Sequence, residues 1–269
     1  MQTDTYGPVV QPLISIIITI LNGEKSITNC LRSIVEQNFV DYELVVVDGG
    51  SIDRTLSIIN ESHITNKTVR VSPGIGLYAG LNAGIGLAKG HWLYFMGCDD
   101  ELYDSNTLQK VADAIKSKQK DVEVIAGNVQ YLREGFVFRP KLGSPYLLHY
   151  KVHHQGMFYQ RSVFEELMYD EDLSVSSDYK LNLKLALKKT PHQYIDAIIC
   201  NFGEDGISNT QIKRSSREIH DIHGKLFTGL ARPWVVNYFK FQRLILLTRR
   251  RLNLVNLKSR MKRFMGGKT

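Results

Sequence analysis

The chain has 269 residues, with 34 Lys and Arg against 27 Asp and Glu, a formal net charge of +7, and 43% hydrophobic residues. This composition excludes a disordered or fibrous chain, and the length allows one large domain to bury its core without disulfide bonds. Residues 232–269 hold 11 basic and no acidic residues, leaving a body of 23 basic and 27 acidic residues, net −4, so a uniformly basic nucleic-acid-binding domain is not expected.

From Leu13 to about Lys118, strand-like and helix-like stretches alternate. Leu13–Ile20 is β-branched and nearly continuous, which predicts a strand buried on both faces of a parallel sheet. Lys25–Gln37 carries Ile27, Leu31, Ile34 and Val35 at helical spacing. Glu43–Asp48 predicts a second buried strand, Asp53–Glu61 a helix and Thr68–Ser72 a short strand. Leu77–Ala88 reads as a helix loosened by Gly80, Gly84 and Gly86. His91–Met96 predicts a fourth strand and Ser105–Lys118 a helix capped by Asp104. This order predicts a doubly wound, mostly parallel α/β sheet.

Beyond residue 120 the pattern changes. Val122–Tyr131 and Gly135–Arg139 predict an antiparallel hairpin, His154–Gln160 and Gln193–Cys200 further strands, and Ser177–Lys189 an amphipathic helix. From Pro233 a long helix is expected, mixing Trp, Phe and Leu with arginines. Three parts follow: a first half over 1–120, a second half over 121–231, and a basic tail over 232–269.

Cys30, Cys98 and Cys200 form no CxxC pair, so no zinc site is expected, and free thiols suit a reducing cytosol. The first residues lack a basic, apolar leader pattern, so no signal peptide is expected. The longest apolar run is far shorter than the ~20 residues of a membrane span. No Gly-x-x-x-x-Gly-Lys-Ser/Thr sequence is present, and Gly74-Ile75-Gly76 lacks the third glycine of a dinucleotide fingerprint.

Ligands of open parallel sheets bind beyond the carboxyl ends of the strands. Three polar clusters fall there: Thr19 and Asn22; Asp48-Gly49-Gly50-Ser51 with Asp53; and Asp99-Asp100. An Asp beside Gly-Gly suits a base or ribose approached closely by backbone, and paired carboxylates suit a divalent cation shared with a diphosphate. Together they describe a nucleotide-diphosphate site. A plain turn at Asp48 and a solvated pair at Asp99-Asp100 are the structural alternatives.

Over roughly Pro12–Ser208 the chain resembles the family 2 inverting glycosyltransferases of GT-A fold. The resemblance rests on SIIITILNG (15–23), DGGSIDRT (48–55), GLYAGLNAGIGLAKG (76–90), YFMGCDD (94–100), HHQGMFY (153–159) and VSSDYKLNLKL (175–185). Several of these motifs are similar to bacterial exopolysaccharide, O-antigen and colanic-acid enzymes of the WcaE type. The resemblance implies that Thr19 lines the base pocket and Asp48 binds the base. It places Asn22, Gly50, Asp53, Gly76 and Asn82 among the donor contacts, and Asp99 toward the ribose or sugar. Asp100 would hold Mn2+ or Mg2+, and Asp178 would be the general base. The implied partners are a nucleotide sugar, a UDP-sugar by family habit, and a polyprenyl-diphosphate-linked or other glycan acceptor.

Departures from the family pattern are Arg54 for Gly, Ala79 for Asp, Leu81 for Arg, Gly97 for a third carboxylate, and Ser177 for the Glu that often precedes the base. His154 and Gln155 are candidates for acceptor or diphosphate contact, Tyr78 and Trp92 read as packing residues, and 206–208 resembles a loop that closes over the donor. The basic, aromatic tail suits a helix lying on anionic lipid at the inner face of the cytoplasmic membrane, or a helix packed on the body; homodimerisation through it stays open. Rival classes are a nucleotidyltransferase and a non-catalytic nucleotide-sugar- or lipid-binding assembly protein. No nucleic acid partner is expected.

Overall fold

The computed structural model describes residues 11–118, 121–142, 152–203 and 211–227. The expected tail over 232–269 and the donor-loop segment 206–208 lie outside the described residues. The chain divides into two compact units, Met1–Ser215 and Ser216–Thr269.

The first unit is built on one mixed sheet. Four strands, β1 (Ile14–Ile20), β2 (Tyr42–Asp48), β3 (Lys67–Val71) and β4 (Trp92–Phe95), run parallel in the order β3-β2-β1-β4. Helices α1 (Ile27–Val35), α2 (Thr55–Glu61) and α3 (Leu77–Leu87) connect them. The β-branched runs form central strands because both faces are covered: Ile14, Ile16, Ile17 and Ile18 have no exposed surface, nor do Leu44, Val45 and Val46. Each such side chain contributes roughly 1.5–3 kcal/mol on burial. The charge in this layer, Glu43, is 2% exposed and fully engaged. It accepts from the Ser15 hydroxyl at 2.6 Å, from the Gly90 amide at 3.0 Å, and from the Lys89 amide.

Gly80 and Gly84 do not loosen α3. They let it sit directly on β1: a Cβ at Gly80 would lie 2.8 Å from Thr19 Cγ2, and one at Gly84 would lie 2.5 Å from Ile17 Cγ2. The helical cost of each glycine, about 1 kcal/mol, is offset by this approach.

The sheet continues past β4 without a break. After β5 (Glu101–Leu102) and α4 (Thr107–Ser117) come β6 (Val124–Tyr131) and β7 (Val137–Phe138), the expected antiparallel hairpin. The stretch expected as a strand from His154 begins instead as a 3-10 turn, His154–Gly156, before β8 (Met157–Gln160). The backbones pack closely there, since a Cβ at Gly156 would meet the Gly127 carbonyl at 2.8 Å. A short helix α5 (Val163–Glu166), then α6 (Ser177–Leu187) and β9 (His192–Phe202) follow. β8 lies antiparallel between β4 and β6, β9 pairs parallel with β6, and β5 closes the edge against β9. A parallel half thus passes into a smaller mixed half.

The helix α7 (Ile212–Leu226) was not expected from the sequence. Its covered positions include Ser215, Glu218 and Ile222, so polar residues interrupt the apolar period that would have marked it.

Candidate active site

The ends of β1, β2 and β4 bring Thr19 and Asn22, Asp48 and Asp53, and Asp99 and Asp100 to one edge of the sheet. Asp48 ends β2 with no exposed surface. Its Oδ1 accepts the amides of Gly50 (2.8 Å) and Ser51 (2.7 Å), and its Oδ2 accepts the Ser51 hydroxyl at 2.6 Å. The carboxylate therefore shapes the turn. Gly50 is required there: its φ is +94° and a Cβ would meet Pro73 at 3.0 Å.

The two loops beside this turn are stapled together. Asn22, with φ +52°, donates its backbone amide to the Ser51 hydroxyl oxygen at 2.8 Å, and its side-chain oxygen accepts from the Ile52 amide at 3.0 Å. Asp53 accepts from the Glu24 amide at 3.2 Å and from the Thr55 amide and hydroxyl at 3.0 and 2.5 Å. Thr19 is half-buried beneath Gly80. Gly76 caps α3 with open space where a Cβ would stand. Asn82 clamps a distant segment: its amide nitrogen donates to the Tyr169 carbonyl (3.0 Å) and to Glu171 (2.8 Å), and its oxygen accepts from the Tyr169 amide (3.0 Å). Asn22, Asp48, Asp53 and Asn82 thus build the cradle that shapes this end of the sheet.

The acidic pair follows β4. Asp100 is fully buried, with Oδ2 accepting the Gly97 amide and Oδ1 the Gly203 amide, each at 2.8 Å. Burial foremost, and then the neighbouring Asp99 charge, pushes its carboxyl up to about 7 against the pull of those two amides and of His154. Asp99 is half-buried, against Gly203. β5 brings these parts together: Glu101 and Leu102 pair with Asn201 and Cys200, so the chain leaving β9 reaches the aspartates. Sequence reasoning missed Gly203; the only signal was a glycine at the end of an apolar strand.

The close packing makes a direct prediction. A Cβ at Gly203 would stand 2.3 Å from the Asp99 carbonyl and 2.6 Å from its carboxylate. Gly203→Ala is expected to cost about 2–3 kcal/mol of stability, read from chemical denaturation, because backbone must move and the amide bond to Asp100 is strained or lost.

Asp178 lies in the first turn of α6. Its side chain is 17% exposed. The Tyr78 hydroxyl, from the first turn of α3, donates to Oδ1 at 3.0 Å, and His154 Nδ1 stands 3.4 Å from Oδ2. Burial, and next the charge of Asp178, push the Tyr78 phenol well above its usual value. His154 therefore lies against Asp178. Ser177, where the family pattern often has Glu, accepts the Asp170 amide at 2.5 Å and holds the approach to α6. The Gln155 carbonyl accepts the buried Tyr94 hydroxyl at 2.9 Å. Trp92 is buried, as expected of a packing residue, with the Lys118 ammonium 5.8 Å from its ring.

Among the described residues no three His, Cys, Asp or Glu side chains converge as a metal cluster. The Asp99–Asp100 pair nevertheless fits a cation that takes most of its ligands from substrate and water. Mg2+ and Mn2+ with a diphosphate bind that way, and a carboxyl pushed up by its neighbour's charge is what a cation would relieve.

Residues 15–175 match the model of glycosyl transferase family 2. A PGL/p-HBAD biosynthesis glycosyltransferase of Mycobacterium bovis is 32% identical over 210 residues, 76% of this chain and 82% of that one. Chondroitin synthase of Escherichia coli is 29% identical over 76% of this chain but only 30% of its own length. Among solved structures, S. aureus TarS 1–349 in complex with UDP-GlcNAc superposes with a TM-score of 0.67 at 19% identity, over 85% of this chain and 72% of that one. A mannosyltransferase of Pyrobaculum calidifontis in complex with GDP-Man and Mn2+ gives 0.64 at 18% identity, over 94% and 81%.

Proposed function

The chain belongs to glycosyl transferase family 2 and has its α/β, GT-A fold, and from that premise we propose an inverting transferase that uses a nucleoside-diphosphate sugar, a UDP-sugar, as donor. The acceptor is a hydroxyl of a lipid-linked glycan, and the product enters a bacterial surface polysaccharide. The observation that carries the reading is Asp178, largely buried in the first turn of α6 and held between the Tyr78 hydroxyl and His154.

In this reading Asp178 takes the proton of the acceptor hydroxyl as that oxygen bonds to the anomeric carbon and the bond to the diphosphate breaks. A single in-line displacement inverts the configuration. A cation held by Asp100, with Asp99 turned toward the ribose or sugar, would neutralise charge growing on the departing diphosphate. The turn at Asp48–Ser51 and the open backbone at Gly76 give the nucleotide its cradle, with Thr19 beside it. UDP and UDP-GlcNAc in solved relatives of the fold support the choice of donor.

A thermal-shift screen of UDP-, GDP- and dTDP-sugars with and without Mn2+ tests the donor. A cognate ligand at 100 times its Kd stabilises the fold by about 2.7 kcal/mol. UDP-sugars are expected to raise the melting temperature most, with release of free UDP when acceptor is added. A shift from none of the three would overturn the reading.

The basic tail is assigned to an anionic membrane surface, where it would hold the site near a lipid-linked acceptor. No helix among the described residues is long and apolar enough to cross a membrane. Ending the chain at Arg232 is expected to release the protein from anionic vesicles in sedimentation. Unchanged sedimentation would remove this assignment.

A further inference from the structure

We propose that Tyr78 is the positioning residue of Asp178, aligning its carboxylate for the acceptor through the hydrogen bond to Oδ1. This deepens the reading of Asp178 as base and rests on it. The sequence alone made Tyr78 a packing residue, and its ring does pack: it is 4% exposed and stacks on Tyr169 at 5.6 Å with planes 25° apart. A phenylalanine would pack as well. The hydroxyl is what packing leaves unexplained, and it reaches across 100 residues to Asp178 at 3.0 Å.

The scaffold behind that bond is rigid. Gly80 and Gly84 press α3 onto β1, so Tyr78 is fixed relative to the nucleotide-side strands. Asn82, one turn further along the same helix face, grips the backbone of Tyr169 through two hydrogen bonds. One face of α3 therefore holds both ends of the segment that leads from Tyr169 to Asp178. The loop Pro73–Gly76, which runs from beneath Gly50 into α3, ends two residues before Tyr78. Donor-side backbone and base are thus linked by a single helical turn.

A hydroxyl donated to the charged carboxylate also favours its ionised form, against burial. Tyr78 remains protonated and able to donate across the working range, since its own ionisation is pushed well up. Among the described residues, other groups near Asp178 are His154 from the turn before β8, with Tyr159 of β8 and Tyr169 of the following segment, whose phenols feel its charge. None of them is altered by Tyr78→Phe.

The test is the pH profile of transfer for Tyr78→Phe, with donor affinity measured beside it. Losing a hydrogen bond to the charged form is expected to move the acid limb up by about one pH unit. It should lower kcat about tenfold through loss of alignment and leave donor Kd unchanged. Tyr169→Phe is the comparison: it trims a neighbouring buried hydroxyl that has no hydrogen-bond partner among the described residues, and it should keep the parental profile. A parental profile in Tyr78→Phe, or an equal shift in Tyr169→Phe, overturns the inference. Asp178→Asn separates the two levels: if that variant transfers sugar at the parental rate, the reading of Asp178 fails, whatever Tyr78→Phe does.

Discussion

Asp178→Asn is expected to lower sugar transfer about a thousandfold while donor binding stays at the parental level. A positioned general base contributes roughly 10²–10⁴-fold, and an amide cannot accept the proton. The substitution keeps the shape of the site: Asn presents an oxygen to the Tyr78 hydroxyl, now 3.0 Å from Oδ1, so the first turn of α6 is retained. The loss therefore appears in kcat, with donor-induced thermal shift intact. That split distinguishes a base from a donor contact, which would lose affinity as well. Single-turnover release of UDP, compared between parent and variant, measures it directly. A variant that retained even a third of parental kcat would exclude Asp178 as the base.

Asp100→Asn is expected to abolish activation by divalent cation, to lower transfer by about 10²–10³-fold, and to change how stability depends on pH. The carboxyl is raised from an unfolded value near 3.8 to about 7 by burial and by Asp99. Between those values the folded protein binds the extra proton, so stability falls as pH rises from about 4 to about 7. At about 1.4 kcal/mol per unit, the full effect is on the order of 4 kcal/mol in the metal-free protein. In the variant this slope disappears. An amide nitrogen now faces one of the two backbone donors, Gly97 or Gly203, which costs part of any gain at alkaline pH. Denaturant unfolding at pH 5, 7 and 8 without metal reads the slope. In the parent, each pH unit below 7 should weaken Mn2+ binding about tenfold, because the cation needs the ionised carboxylate.

Both substitutions act at residues that a reader of the sequence can find. Asp99-Asp100 stand where an apolar strand stops, and Asp178 is marked by the resemblance of VSSDYKLNLKL to the family motif. Their partners were not legible. Tyr78 sits in a helix whose glycines suggested weakness, and no spacing rule connects it to a residue 100 positions later. Gly203 could not be told from any glycine after a strand, because its role depends on β9 pairing with the two residues of β5. Asn22 and Asp53 read as ligand contacts because polar residues at strand ends carry that prior, and Asn82 because the family resemblance implied it. In the structure their side chains bond backbone groups of adjoining segments: Asn22 that of Ile52, Asp53 those of Glu24 and Thr55, and Asn82 those of Tyr169.

The parallel half of the sheet was determined by local pattern: continuous β-branched runs, helical spacing between them, and glycine turns at the ends. Those features follow from burial and backbone sterics, which act over a few residues, and they place the three polar clusters on one edge. The tertiary structure alone decided what each polar group does there. β9 returning past β5 carries Gly203 to the acidic pair, and the turn leading into β8, which lies antiparallel beside β4, sets His154 against Asp178. Hydrogen bonds form between whichever groups the fold brings within 3 Å, and strand order, not spacing along the chain, fixes that distance.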